Sequence, residues 1–98
     1  MNFEEVHKLV SYIKYLLTEL DMQTLYKYAK QVPDNGIIVD IGTAEGGSAF
    51  TMTWGSKESV KVYTIDPVES VNFIHYRDAW NMEDRLTYIV KTSEDAVS

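Results

Sequence analysis

The chain contains no cysteine. Disulfides, thiolate catalysis and the common structural zinc sites are thereby excluded. Basic residues are scarce: 9 Lys and Arg stand against 15 Asp and Glu, giving a formal net charge of −6. They form no run or stripe. Nucleic-acid binding and adsorption to an anionic membrane surface both need clustered Lys and Arg, so both are disfavoured. No apolar stretch approaches the ~20 residues that span a bilayer. The N-terminal MNFEEVHKLV carries acids where a secretory signal carries bases. No internal repeat, low-complexity tract or metal-ligand spacing is present. These absences lead to the expectation of a cytoplasmic protein that binds neither nucleic acid, membrane nor metal.

What is present suits one small folded unit. Hydrophobic residues make up 45% of the 98 positions, ordinary for a globular domain. A chain of this size buries roughly 60–65% of its unfolded surface, so its core is modest. From Phe3 to Leu20, apolar residues at Val6, Leu9, Val10, Ile13, Leu16, Leu17 and Leu20 make one helical face. Asp21 reads as the N-cap of a second helix, with Leu25, Tyr28, Ala29 and Val32 on its apolar side. Pro33-Asp34-Asn35-Gly36 is a dense turn signal. Ile37 to Ile41 is a consecutive apolar, β-branched run, which predicts a strand covered on both faces. A helix is expected from Ser48 to Trp54, a strand from Val60 to Ile65, a helix from Val71 to Met82 and a strand from Leu86 to Val90. Ser93-Glu94-Asp95 reads as the start of another helix.

Strands alternating with helices imply parallel pairing through right-handed crossovers. The expected fold class is α/β: a partial, Rossmann-like parallel sheet of three strands in the order 3-2-1, with two N-terminal helices. One domain is expected over 1–98, helical over 1–35 and β-α-β-α-β over 36–98.

Open α/β sheets bind ligands beyond the carboxyl ends of their strands. Here the first such turn is Gly42-Thr43-Ala44-Glu45-Gly46-Gly47-Ser48. Glycine lets the backbone bend and approach a ligand without a Cβ in the way. Ala44 occupies the second glycine position of the dinucleotide fingerprint, and no Lys of a phosphate-binding P-loop is present, so both of those readings fail. Asp66 ends the second strand. An acid there accepts hydrogen bonds from ribose hydroxyls in nucleotide-binding α/β folds.

VDIGTAEGGSAF resembles the first motif of class I S-adenosylmethionine-dependent methyltransferases, a hydrophobic strand leading into Asp/Glu-x-Gly-x-x-x-Gly. VYTIDP resembles the second motif, and RLTYIVKTSEDAV the third strand with its turn. The form of the first motif is closest to the branch of small-molecule O-methyltransferases and cephalosporin-hydroxylase-like proteins. The resemblance covers roughly residues 20 to 98. It implies S-adenosylmethionine as cofactor and a small-molecule methyl acceptor. Under it, Gly42, Thr43, Ala44 and Gly46 pass under the methionine part and ribose. Asp40 organises the loop and faces the ligand amino group, and Ser48 opens the next helix as a donor. Asp66 binds the ribose diol, Pro67 and Val68 border the adenine, and Thr92 and Ser93 lie near its edge. Lys91 and Thr92 stand where the family usually has Gly-Asp.

The family sheet has seven strands, and its fourth, which bears acceptor-contacting residues, has no counterpart here. No catalytic residue is assigned. The first strand would then be an open apolar edge, which invites pairing. The expected partner is a second copy through that edge, or the absent second half. The competing reading is a non-catalytic assembly module that keeps half the fold, and a different adenosine ligand such as a nucleotide is a third. Glu45, His7, His75, Asp78, Glu83 and Asp84 read most simply as solvated side chains, and the aromatic residues as packing.

Overall fold

The computed structural model describes residues 2–10, 19–42, 47–91 and 95. Seven elements follow one another: α1 (Phe3–Val10), α2 (Glu19–Gln31), β1 (Ile37–Ile41), α3 (Gly47–Gly55), β2 (Lys61–Asp66), α4 (Val71–Ala79) and β3 (Leu86–Val90). The sheet is parallel and ordered β1-β2-β3, with Ile38 beside Val62 and Val62 beside Leu86. That is the α/β architecture and strand order the sequence predicts.

Local chemistry explains where the elements begin and end. Asn2 Oδ1 accepts the Glu5 N–H at 2.9 Å, closing the first turn of α1. Ser70 caps α4 by accepting the Phe73 N–H at 3.2 Å. The helix stops three residues before the predicted Met82, because Asn81 takes a left-handed φ of 55° that no helix can propagate. β2 lies one residue later than predicted, and Asp66 is its last residue.

The N-terminal reading needs revision. Leu20 belongs to α2, not to the first helix, and is 70% exposed. Asp21 lies within the first turn of α2, where its charge suits the helix dipole, and is not its N-cap. Tyr28 is exposed, and the buried stripe of α2 is Met22, Tyr26 and Ala29. The positions of Ile13, Leu16 and Leu17 lie outside the described residues.

α3 is the hub of the molecule. It is buried almost all round, between the sheet on one side and α1 and α2 on the other. Gly55 makes this possible: a Cβ there would lie 3.0 Å from the ring and carbonyl of Tyr26. Thr51 and Thr53 sit fully buried because their hydroxyls donate back to the Gly47 and Ala49 carbonyls at 2.7 Å. Phe50 anchors the core, stacked on Phe73 at 5.0 Å and edge-on to Trp80 at 5.1 Å.

The two faces of the sheet differ sharply. Ile38, Val62, Thr64, Leu86 and Tyr88 point toward the helices, and Val62, Thr64 and Leu86 have no exposed surface. The opposite face carries Ile37, Val39 and Ile41, exposed by 63, 56 and 64%. β1 is therefore covered on one face, not two as its apolar run predicts. The reason is handedness: the chain steps steadily from β1 to β2 to β3, and right-handed crossovers in a constant direction place α3 and α4 on the same side.

Candidate functional site

The C-terminal ends of β1 and β2 meet where the sequence places a ligand. Gly42 follows β1 directly, and its N–H donates to the Ile65 carbonyl at 2.8 Å. That bond sets Gly42 beside Asp66, one step beyond the Ile41–Ile65 pair. Gly42 has a φ of +89°, and nothing lies within 4 Å of where a Cβ would stand. Its requirement for glycine is thus conformational, and the space above it is open. Thr43, Ala44 and Gly46, expected to continue this turn, lie outside the described residues, as do Thr92 and Ser93.

Asp40 is the polar centre behind the turn. Its Oδ2 accepts the Ser48 hydroxyl at 3.0 Å and the Thr64 hydroxyl at 3.1 Å. One carboxylate oxygen so ties the end of β1 to the first turn of α3 and to β2. Burial pushes the Asp40 carboxyl above the ordinary carboxylate range, and the bonds from Ser48 and Thr64 pull it back down. The Ser48 hydroxyl donates to Asp40. Thr64 was not singled out from the sequence. Its position in the strand could have found it, since it shares the parity of Val62, the buried side of the alternation.

Asp66 is half-buried at the end of β2, and its Oδ1 accepts the Val68 N–H at 2.9 Å. This is the local turn an aspartate favours. Pro67 is exposed, and Val68 is 72% exposed on the same loop. Tyr88, reaching over from β3, is the second residue the sequence reading missed. Its hydroxyl donates to the Val68 carbonyl and accepts the Ser70 N–H, both at 2.9 Å. Burial raises the Tyr88 pKa, the Ser70 backbone bond lowers it, and the charges of Asp66 and Glu69 raise it further. The phenol therefore stays protonated well into the alkaline range.

Together the described residues form an open ledge at the carboxyl edge of the sheet. It has a conformationally required glycine, two acids on adjacent strands and an exposed apolar residue on a pinned loop. Among the described residues there is no cluster of His, Asp and Glu that could hold a metal ion, and no helix long and apolar enough to cross a membrane.

Similar architecture occurs in solved structures. A protein described as a caffeoyl-CoA O-methyltransferase from Staphylococcus aureus superposes with a TM-score of 0.65 and 18% identity, over 91% of this chain and 43% of that one. The C-terminal domain of precorrin-6Y C5,15-methyltransferase from Rhodobacter capsulatus gives 0.65 and 19%, over 86% and 45%. A protein described as an rRNA methylase from Clostridium thermocellum gives 0.64 and 18%, over 87% and 47%. The chain has part of the class I methyltransferase fold. It spans less than half the length of each of these structures. No family model and no curated protein sequence matches it.

Proposed function

We propose that this chain is the S-adenosylmethionine-binding part of a methyltransferase whose acceptor is a small molecule. The observation that carries this reading is that Gly42, bonded to the Ile65 carbonyl, lies next to Asp66 at the open carboxyl edge of the sheet. The residues fit the group. The space above Gly42 is open, and a carboxylate with two acceptor oxygens suits a vicinal diol. Val68 offers an apolar wall. Ser48 and Thr64 hold the Asp40 carboxylate at the end of β1, where it favours a cationic amino group. When bound, the cofactor supplies an activated methyl group. The contribution of these residues is to hold and orient the donor.

Isothermal titration with S-adenosylhomocysteine tests the reading. One-to-one binding is expected, weakened at least about tenfold in Asp66→Ala, because a hydrogen bond to a charged group contributes ~1.5–3 kcal/mol. Wild-type chain that takes up no ligand would sink the proposal.

The uncovered sheet supports a second part of the reading, a polypeptide partner. In β1, Gly36 O and Gly42 N bond toward β2. The N–H and C=O groups of Ile37, Val39 and Ile41 therefore face the free edge, as parallel geometry requires. Beside that edge, on the helix side, lies an apolar groove of about 170 Å³ lined by Leu25, Tyr28, Ala29, Val32, Ile38 and Met52. A second copy pairing edge to edge about a twofold normal to the sheet would keep each face on its own side, leaving the bare faces bare. A strand added parallel to β1 by a right-handed crossover from β3 would put its helix on the bare face, because the chain then steps in the reverse direction. A strand apolar on both sides, with one helix, covers edge, groove and face together. The geometry favours that complement over the homo-oligomer.

A further inference from the structure

The loop between β2 and α4 is short, solvent-facing and unusually well tied. Within residues 66–70, Asp66 holds the Val68 N–H, Tyr88 holds the Val68 C=O, and Tyr88 also holds the Ser70 N–H. Ser70 in turn caps α4. Both polar groups of the Val68 backbone are thus fixed, one by the acid at the end of β2 and one by a phenol from the next strand. The Tyr88 ring is itself fixed, packed at 62° against Phe73 with centroids 4.7 Å apart. Phe73 is fully buried. A chain of contacts therefore runs from the core through Phe73, Tyr88 and Val68 to the carboxylate of Asp66.

A surface loop does not need this much restraint to connect a strand to a helix. The restraint acts on the orientation of Asp66: if Val68 shifts, the Asp66 Oδ1 bond shifts with it. We propose that Tyr88 is a positioning residue that presets Asp66 for a ribose diol and holds Val68 as the nucleoside wall. It touches no ligand itself. Its hydroxyl serves as donor and acceptor at once, which only a neutral phenol can do. Fixing a binding loop in advance strengthens binding by reducing what must be ordered when the ligand arrives. This inference rests on the cofactor reading above and adds a residue to it.

The test is a ligand–protein cycle. Tyr88→Phe removes the hydroxyl and keeps the ring against Phe73. Titrate wild type and Tyr88→Phe with S-adenosylhomocysteine and with its 2′-deoxy analogue. Wild type is expected to prefer the intact diol by about tenfold, the scale of a charge-assisted hydrogen bond. In Tyr88→Phe the preference should fall toward one, while the melting temperature stays close to that of wild type. A merely structural role would weaken both ligands alike and leave the ratio unchanged, and that result overturns the proposal. If wild type binds neither ligand, the cofactor reading falls, and this one with it.

Discussion

The two faces of strand β1 carry similar apolar residues and meet different fates. The face bearing Val62, Thr64 and Leu86 is sealed by α3 and α4 and holds the core. On the opposite face the β1 residues Ile37, Val39 and Ile41 lie open, whereas Ile65 of β2 beside them is buried. Along β1 the apolar residues on the two faces are alike, and the direction of the crossovers decides which of them is covered. The difference teaches that burial here is set by topology, and that an apolar strand reports the environment it is built for, not always the one it has. Large exposed apolar patches mark interaction surfaces, which is why the open face is read as a seat for a partner.

Substitutions on the two faces should differ most in their effect on stability. Phe50→Ala, under the covered face, should cost ~3–5 kcal/mol, because it removes an aromatic packed on Phe73 and Trp80. A domain whose total stability is about 5–15 kcal/mol has little left after that. The double substitution Val39→Lys with Ile41→Lys, on the open face, should change unfolding by no more than about 0.5 kcal/mol per site. It should also lower concentration-dependent self-association measured by light scattering. Urea unfolding that found both variants equally damaged would mean that the open face is covered in solution.

A smaller effect is expected at Asp40. Its pKa in the folded chain lies above the ordinary 3.8, chiefly through burial. The folded state therefore holds that proton more tightly than the unfolded chain does. The associated stability is fully present below the unfolded value and is lost as pH rises through the folded one. At neutral pH the desolvated charge is a cost, so Asp40→Asn should melt no lower than wild type at pH 7. Any advantage should shrink as pH falls toward 4. The difference should stay within about 1 kcal/mol, because Asp40 remains partly solvated. Thermal melts between pH 4 and 8 check this, and an advantage that grew on acidification would contradict the assignment.

Much of this molecule was legible in its sequence. β1 and β3 fall at the expected residues, because β-branched runs between turn signals leave little choice. Asp40, Gly42 and Asp66 stood out by their spacing, a glycine turn after the first strand and an acid at the end of the second, more than by residue type, since an aspartate there is also an ordinary turn residue. Thr64 and Tyr88 did not. Thr64 is a small polar residue inside a strand, legible only through its parity with Val62, and Tyr88 read as packing, with nothing in the sequence to show which loop its hydroxyl reaches. The boundary of α2 was misplaced because Asp21 suits an N-cap and a first helical turn equally well. The bare face of β1 was hidden for a different reason: strand composition records apolarity and is silent on which neighbour satisfies it.

An adenosyl ligand is proposed to bind at the carboxyl edge of β1 and β2. Amide spectra of 15N-labelled chain, recorded with and without S-adenosylhomocysteine, test it most directly. Shifts are expected at Gly42, Asp66, Val68 and Ser70, with Lys61 and Leu86 at the opposite end of the strands unmoved. Shifts confined to the groove residues Leu25, Tyr28 and Val32, or no shifts at all, would contradict it.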